Sequence, residues 1–538
     1  MDRLKLIGEI FMMFALLSFA VLLDSPYEPV IEAAEQIETV WAIEDTRQES
    51  EEPLVSKLSN HGVPLGFDKA SNTFYCTLGL EQMDAWPDIH LTAECSKDVR
   101  LVFVDDYDYD WCKDAIEEGY PYQAMAYTDD AFWYFDIVFT GLPVISLYCG
   151  EDIGIEDTAA QMSLSVFDSE PVATTVHTHL RGGGTRSSEK KNLRVKFIRD
   201  ENGRKNVINL PGCGLRENIL LNPMVFDETM LRDRINWKLY GDLLGSGYDG
   251  AFGARKTAYV EVFLNDEYQG VYLMMEPMDA EEELAKEGGR NLLTDGVYRS
   301  VIFNFADDRP VTQNPLKDVG RYELRYEPSQ TRQFGLLEEY LNLLREQDDE
   351  AFVSRSACMD MESVVRYVLL RQVACLADNI SNNMYLWARM TPEGVRYTLA
   401  PWDMDISWGR KPETVGANDE NWLAFPLVDR MLVCSVPGLK ELMLQRWDEW
   451  RGEIFTQEHI AAALEAYEAE LKRSGALMRN AERWGMEINA AAAEELTGFA
   501  LTRLEVIDAA MEMFRDERTV YPPFLEQIDS GMPGYPIL

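Results

Sequence analysis

Residues 361–403 constrain the fold of this chain more than any other stretch. The stretch opens with MESVVRYVLLRQVACLAD, whose apolar side chains recur at helical spacing. Two apolar, strand-like runs follow, MYLWARM and VRYTLA, on either side of the turn sequence TPEG. A tight hairpin brings the end of its second strand back to the start of its first. The sequence therefore predicts that Asp378, Asn383 and Asp403 lie close together at the C-terminal end of a helix.

The spacing of these polar residues matches the catalytic loop of protein kinases. Asn383 follows Asp378 by five positions, and Asp403 follows twenty residues later in PWDMDISWG. In kinases an Asp accepts the proton of the substrate hydroxyl, an Asn five residues on binds a metal, and a later Asp binds the metals at the phosphates. A D-x-x-x-x-N match is also common by chance. The alternative is that Asp378 and Asn383 are turn residues and that Asp403 and Asp405 are solvated loop carboxylates.

Several separate stretches resemble the spore-coat CotH kinase family, an atypical branch of the kinase fold. RGGGTRSSEKKNLRVKF at 181–197 is similar to the family's Arg-Gly, Ser-rich and Lys-Lys segment leading into a strand. VEVFLNDEYQGVYLMMEPMD at 260–279 resembles its hairpin ending in Glu, and NNMYLW with PWDMDISWG matches its most characteristic block. The resemblance runs from about residue 140 to 475. The chain departs from the family in RGGGTR, where Asn or Ser more often follows the Gly, and at Trp408, where Phe is usual.

The resemblance implies an α+β protein with an atypical, protein-kinase-like two-lobed fold. It also implies transfer of the ATP γ-phosphoryl group to Ser or Thr of a surface or coat protein. In this interpretation Asp378 is the catalytic base. Asn383 and Asp403 bind Mg²⁺ or Mn²⁺, and Asp405 shares or supports the metal.

The resemblance also places candidate nucleotide-binding residues in 181–197 and at the end of the 260–279 hairpin. The candidates are Arg181, Gly182, Lys190, Lys191, Lys196 and Glu276. If 190–197 is a strand, Lys190 and Lys196 point to one face and Lys191 to the other. The family motif favours Lys191 as the phosphate-contacting lysine, assisted by Arg181. Glu276 falls in a segment that resembles the interlobe hinge, and a solvated loop Glu is the alternative.

Two further segments have local signals. Residues 227–244 show apolar side chains at helical spacing, with Asp227 as the N-cap. The family tends to have an Asp and an Arg at Asp227 and Arg232, while a cap and a surface salt bridge are the simpler interpretation. Residues 280–330 read as an irregular, acidic insertion.

The charge balance restricts the partners. The chain has 538 residues, 50 Lys and Arg against 93 Asp and Glu, and a net charge of −43. Such a charge repels nucleic acid and anionic membranes at long range, so nucleic acid is not expected as a partner. The acidic surface is most simply a solubility device, and the alternative is attraction of basic protein substrates or cations.

The N-terminus predicts export. Arg3 and Lys5 precede an apolar run to Leu23, which is typical of a signal peptide or membrane anchor over residues 1–25. We therefore expect an extracellular or cell-surface protein that contacts the membrane only through this segment. The remaining expected divisions are an acidic linker (26–53), a β-rich accessory module (54–138), a kinase-like domain (139–520, with an N-lobe to about 279 and a mostly helical C-lobe after about 335) and a tail (521–538).

The cysteines and histidines give weaker signals. Eight Cys without a C-x-x-C pair argue against a zinc ribbon or thioredoxin-like site. In an exported chain the disulfide candidates are Cys76, Cys95, Cys112 and Cys149. His177 and His179 share a face if they lie in a strand, which allows a metal site but is also typical of ordinary strand surface.

Two other function classes stay open. One is a non-catalytic surface or coat scaffold, or an adhesin, that keeps the fold without turnover. The other is a transferase that moves AMP instead of phosphate on the same scaffold. The joint presence of Asp378, Asn383 and Asp403 argues against a pure scaffold, whereas the scarcity of ATP outside cells argues against a kinase.

Overall fold

The chain forms a mixed α and β structure of two compact units. This computed structural model describes residues 37–79, 90–94, 99–104, 116–182, 184–199, 203–286, 289–301, 318–319, 322–331, 334–379, 382–410, 422–423 and 425–516. It contains 34% helix and 31% strand, which confirms the α+β class. The first unit comprises Met1–Pro223, Ala258–Met274 and Glu470–Ile488. The second comprises Met224–Thr257, Met275–Ala469 and Asn489–Leu538. The expected signal segment and C-terminal tail (521–538) lie outside the described residues.

Most of the described strands lie in the first unit, and most of the described helices lie in the second. The helices are α1 (Ile37–Glu44), α2 (Arg232–Leu244), α3 (Ala280–Lys286), α4 (Glu338–Arg345), α5 (Asp349–Ser356), α6 (Met361–Ala374), α7 (Pro426–Val433), α8 (Leu439–Glu453), α9 (Gln457–Arg473), α10 (Ala476–Trp484) and α11 (Ala492–Arg515). The strands are β1 (Gln48–Glu49), β2 (Lys57–Asn60), β3 (Val63–Pro64), β4 (Gly66–Asp68), β5 (Thr73–Thr77), β6 (Leu91–Glu94), β7 (Arg100–Phe103), β8 (Tyr122–Tyr127), β9 (Ala131–Thr140), β10 (Val144–Cys149), β11 (Thr158–Ser165), β12 (Val172–Leu180), β13 (Leu193–Ile198), β14 (Ile208–Leu210), β15 (Gly214–Arg216), β16 (Asn218–Asn222), β17 (Thr257–Leu264), β18 (Glu267–Met275), β19 (Gly296–Val301), β20 (Asp318–Val319), β21 (Tyr322–Tyr326), β22 (Asn382–Thr391) and β23 (Gly394–Pro401).

The first unit begins with a β-rich part. Strands β4-β5-β9-β8-β7 form one sheet, with β1 parallel to β9, and β3-β2-β6 form a second. Aromatic residues of β9 fill the core: the ring of Phe135 stacks on Trp133 and meets Phe74 edge-on. Helix α1 lies within the expected linker, and its Val40 and Ile43 are buried among residues of β7, β8 and β9. This half of the linker is therefore part of the folded unit.

The first unit also contains a closed barrel of seven strands, which the sequence did not predict. The strand order is β10-β11-β12-β13-β16-β18-β17. The parallel pairing of β10 with β17, in which Val144 lies opposite Glu261, closes it. Small apolar side chains such as Ile145, Val176 and Val260 fill the interior.

A late segment of the chain, Glu470–Ile488, belongs to the same unit as the barrel. Arg479 of α10 donates to both carboxylate oxygens of Glu261 on β17, at 3.0 and 2.9 Å, and both side chains are buried. The hydroxyl of Tyr268 donates to the same carboxylate. Gly475, just before α10, has φ +66°, and a Cβ there would lie 2.0 Å from the carbonyl oxygen of Ile116. The segment thus fits closely against both parts of its unit.

The second unit is arranged around α6, most of whose residues are buried. This helix packs against β23, α2, α8 and α11. The predicted hairpin is confirmed, because β22 and β23 pair in antiparallel register from Met384 opposite Pro401 to Thr391 opposite Gly394. The full sheet has the order β20-β21-β19-β22-β23. The expectation of an irregular insertion over 280–330 was wrong, because the segment supplies α3 and β19–β21, and β19 lies in the middle of the sheet.

Helix α2 begins later than predicted. Met230 takes a left-handed conformation (φ 58°), so the helix starts at Arg232 instead of following Asp227. The carboxylate of Asp227 nevertheless accepts the backbone N–H of Arg232 at 2.9 Å and forms a buried ion pair with its guanidinium. These two residues are a buried structural pair and not a surface salt bridge.

The described residues test the expected disulfides and membrane anchor only in part. Cys76 and Cys149 are thiols with no disulfide partner in the described part of the chain, and Cys95 and Cys112 lie outside it. Among the helices of the described residues, none is long and apolar enough to cross a membrane.

Candidate active site

The site begins where α6 ends. Cys375 adopts a left-handed conformation (φ 51°), and its N–H donates to the carbonyl of Arg371, which closes the last turn of the helix. Asp378 and Asn379 follow after Leu376 and Ala377. Tyr367 lies on this buried helix, and its hydroxyl donates to the carbonyl of Asn379 at 2.9 Å. The short loop is therefore held at a fixed position relative to the helix.

Asp378 is partly buried and accepts two side-chain hydrogen bonds. The amide nitrogens of Asn382 and Asn383 donate to its Oδ2 at 3.0 and 2.7 Å. Burial raises the pKa of Asp378 to about 6; the Asn382 hydrogen bond lowers it and the charge of Asp403 raises it. A carboxylate with a pKa near neutral can accept a proton and release it again at physiological pH.

Asn383 and Asp403 are held in the same unusual backbone conformation. Both are left-handed, with φ 55° and 52°. The backbone N–H of Trp402 donates to the carbonyl of Asn383 at 3.0 Å. The side-chain amide of Asn379 donates to the same carbonyl at 2.9 Å and to that of Trp402 at 2.8 Å. Left-handed non-glycine residues held by such contacts concentrate at functional sites.

Asp403 and Asp405 place two carboxylates on one short segment. Asp403 is exposed, while Asp405 is partly buried and lies 3.5 Å from the guanidinium of Arg410. Burial and the charges of Asp403 and Asp233 hold the pKa of Asp405 well above its usual range. A divalent cation would relieve this repulsion.

The residues present fit one kind of metal site. The described residues contain no cluster of three or more His, Cys, Asp or Glu side chains suited to a metal. Mg²⁺ usually binds proteins through one or two carboxylates and completes its shell with water and substrate phosphates. Asp403, Asp405 and the amide oxygen of Asn383 match that pattern. They do not match a fully protein-ligated cation.

Lys190 does not lie where the sequence predicted. Strand β13 begins at Leu193, so Lys190 precedes it and the alternation of faces with Lys196 does not apply. The Lys190 ammonium is buried, donates to Asn480 Oδ1 at 2.9 Å and to the carbonyl of Val271, and lies 4.7 Å from the ring of Tyr272. Burial lowers its pKa to about 7. These contacts fasten α10 to the barrel and give Lys190 a structural role.

Lys196 lies on β13 as predicted, but its ammonium is paired with a carboxylate. Asp157 lies 2.8 Å from Lys196 Nζ and 2.7 Å from His179 Nδ1. His177 lies opposite Lys196 on the neighbouring strand. His179 therefore contacts a carboxylate on this strand face, as expected for ordinary strand surface.

Arg181, Gly182 and Lys191 lie in one loop of the first unit, between β12 and β13. Arg181 donates to Asn192 Oδ1 at 3.4 Å, and the half-buried Lys191 donates to the carbonyl of Arg186 at 3.2 Å. Gly182 has φ +88°, and a Cβ there would lie 2.1 Å from Thr185 Oγ1, so the loop requires glycine at this position.

Glu276 lies in the second unit, directly after β18. Its carboxylate is buried, 3.5 Å from Lys286 Nζ and 4.0 Å from the guanidinium of Arg255. Arg255 also pairs with Glu283 at 2.6 Å. Glu276 is thus part of a buried ionic cluster, and the alternative of a solvated loop residue was wrong.

Sequence reasoning missed three asparagines of this unit. Asn379 and Asn382 bind the loop and the Asp378 carboxylate, and the run DNISNN was a visible signal for them. Asn236 of α2 contacts the Met404–Trp408 stretch. No pattern in the sequence distinguished it from a surface helix residue.

Asp378 thus follows the end of α6, beside the side-chain amide of Asn383, and Asp403 follows the end of the β22–β23 hairpin. The sequence matches the model of the CotH kinase protein family over residues 178–507. The chain therefore belongs to the CotH kinase family, as the motifs predicted. No curated protein sequence matches it.

Proposed function

We propose that this protein is an ATP-dependent kinase that phosphorylates Ser or Thr residues of a surface or coat protein, with Mg²⁺ or Mn²⁺ as its cofactor. The observation that supports the proposal best is the bond from Asn383 to Asp378. The side-chain amide of Asn383 donates to the proposed base, Asp378. The backbone carbonyl of Asn383 accepts the N–H of Trp402, the residue directly before Asp403. In this proposal the barrel of the first unit belongs to the N-lobe of a kinase-like fold, and the helices of the second unit after about residue 335 form its C-lobe.

The protein groups have separable tasks. Asp378 orients the acceptor hydroxyl and takes its proton as the oxygen attacks phosphorus. Asn382 and Asn383 donate to one oxygen of that carboxylate, which fixes its direction. Asn383, Asp403 and Asp405 would hold the divalent cation, which when bound neutralises charge on the phosphates. Phosphoryl transfer depends mainly on such positioning, so three anchored side chains suffice.

The candidate nucleotide-binding residues differ in their surroundings. Arg181 and Lys191 make their hydrogen bonds within a loop that requires glycine, whereas Lys190 is buried in structural contacts. Arg181 and Lys191 therefore fit a phosphate-binding role better than Lys190 does. Lys196 would have to leave Asp157 to contact phosphate. Glu276 would act through its backbone, because its carboxylate is paired within the buried cluster.

The proposed setting follows from the family and the charge. The CotH family is associated with the spore coat. We propose export by the N-terminal segment, with membrane contact only there. A net charge of −43 favours a basic protein substrate over nucleic acid.

A transfer assay on the full chain tests the proposal. The chain, its Asp378→Asn and Asp403→Asn variants and a Glu393→Gln control are incubated with Mn²⁺ or Mg²⁺, a basic protein acceptor, and ATP labelled at the γ or α phosphate. Glu393 is an exposed carboxylate at the turn of the same hairpin, so its loss should change nothing. We expect γ-label incorporation by the parent and the control, and loss in both Asp variants. Incorporation of α-label would indicate AMP transfer, and no label with no nucleotide-induced rise in Tm would indicate a scaffold.

A further inference from the structure

We propose that Asn236 is a positioning residue that sets where Asp403 and Asp405 present their carboxylates to the metal ion. This inference rests on the proposed function. None of the described side-chain hydrogen bonds of Asn236 goes to the side chain of a proposed metal ligand. Asn236 acts through the segment from Asp403 to Trp408, which carries both carboxylates.

All three described hydrogen bonds of the Asn236 side chain go to this one segment. Its Nδ2 donates to the carbonyl of Met404 at 2.8 Å and to Ser407 Oγ at 2.9 Å. Its Oδ1 accepts the indole N–H of Trp408 at 2.9 Å. The residue is fully buried on α2. A buried amide costs free energy unless its hydrogen bonds are satisfied, so packing alone would favour an apolar residue here.

The bond to Met404 acts at the point where it has most effect on the carboxylates. Met404 lies directly between Asp403 and Asp405, and Ser407 Oγ also donates to its carbonyl at 2.8 Å. The segment begins and ends with left-handed residues, Asp403 at φ 52° and Trp408 at φ 49°. While its carbonyls stay anchored, the backbone of this segment has little freedom to reorient the two carboxylates.

Helix α2 and helix α6 hold the far end of the same segment. Arg232 Nε donates to the carbonyl of Ser407 at 3.2 Å, and the N–H of Trp408 donates to the carbonyl of Ala374 at 2.8 Å. These bonds restrain the end near Trp408. Asn236 alone among these contacts reaches the carbonyl between the two carboxylates from another element. Groups that orient metal ligands in this way typically change metal affinity 10–100-fold when removed.

The test compares Asn236→Leu with Trp408→Phe. Leucine keeps the branched shape of asparagine, with larger methyl groups, and removes every bond of the amide. Trp408→Phe removes only the bond to Oδ1 and leaves Met404 anchored. Mn²⁺ binding to the full chain is measured by electron paramagnetic resonance in the presence of a non-hydrolysable ATP analogue, together with Tm. We expect Asn236→Leu to raise the Mn²⁺ Kd about tenfold or more. Trp408→Phe should lower Tm while it leaves the Kd within about twofold.

Ser407→Ala provides a second variant if Asn236→Leu does not fold. It removes one donor to Met404 and should raise the Kd by less than Asn236→Leu. An unchanged Kd in Asn236→Leu would overturn the positioning role and leave the proposed kinase intact, and so would an equal rise of Kd in Trp408→Phe. Where Asn236→Leu does not fold, an unchanged Kd in Ser407→Ala has the same meaning. Absence of Mn²⁺ binding by the parent chain itself would overturn the proposed metal site, and this inference with it.

Discussion

The ion pair between Arg479 and Glu261 allows the sharpest stability prediction. The guanidinium binds both carboxylate oxygens at 3.0 and 2.9 Å, and the two side chains are 5% and 0% exposed. Glu261→Gln keeps the shape of the side chain but leaves the Arg479 charge buried without its counter-charge. Removing one partner of such a pair costs about 3–5 kcal/mol. We therefore expect the first unit to lose about that much free energy of unfolding.

A double-mutant cycle separates the pair from its surroundings. Glu261→Gln with Arg479→Met removes both charges, so it should cost at least about 2 kcal/mol less than the sum of the two single changes. Glu267→Gln is the matched control, because Glu267 pairs with Arg483 of the same helix but is 58% exposed. An exposed pair contributes at most about 1 kcal/mol.

The assay must resolve the two units. Urea unfolding gives the total change, and hydrogen exchange of peptides from β17 and from residues 470–488 assigns it to the first unit. A loss below about 1 kcal/mol in Glu261→Gln, or strictly additive single effects, would show that the pair is not the buried, coupled contact that the distances indicate.

Three further predictions concern buried groups and one glycine. Burial raises the pKa of Asp429 to about 7, so the folded state binds its proton more readily and the free energy of unfolding should fall by about 4 kcal/mol as pH rises from about 4 to 7. In urea titrations Asp429→Asn should lack this fall. The same pH dependence in Asp429→Asn as in the parent would contradict the prediction. Lys190, with its pKa lowered to about 7, gives the opposite sign: stability should rise by about 5 kcal/mol between pH 7 and about 10.5, and Lys190→Met should remove the rise. Gly475→Ala should lower Tm strongly, because the added Cβ would lie 2.0 Å from the carbonyl oxygen of Ile116. Gly485 is equally left-handed (φ 61°) but has nothing within 4 Å of the added Cβ, so Gly485→Ala should cost only about 1 kcal/mol. Equal losses of Tm in the two variants would refute the steric argument.

Local signals predicted the elements around the candidate site. The apolar period of α6 and the turn between β22 and β23 are encoded within short windows, so both were found. The barrel was not, because its closure depends on β10 pairing in parallel with β17, far along the chain. Strand β19 was missed for the same reason. Its position is set by pairing with β22 and not by its own pattern.

The site divides along the same line. The sequence was enough to predict that Asp378, Asn383 and Asp403 lie close together, because one local hairpin joins Asn383 to Asp403. The burial of Lys190 depends on Val271 and Asn480, which come from two other segments, so sequence spacing could not distinguish it from Lys191. The role of Asn236 is equally invisible, because its partners are a backbone carbonyl, a serine hydroxyl and an indole N–H far along the chain.

The return of Glu470–Ile488 to the first unit has a consequence for synthesis. Glu261 enters the ribosome's exit path long before Arg479, and a lone carboxylate cannot be buried at acceptable cost. At about 5–20 residues per second, roughly 10 to 45 seconds separate the two residues during translation. We therefore expect the barrel to remain incompletely folded until residues 470–488 have been synthesised. A nascent chain stalled before residue 470 should leave β17 sensitive to protease.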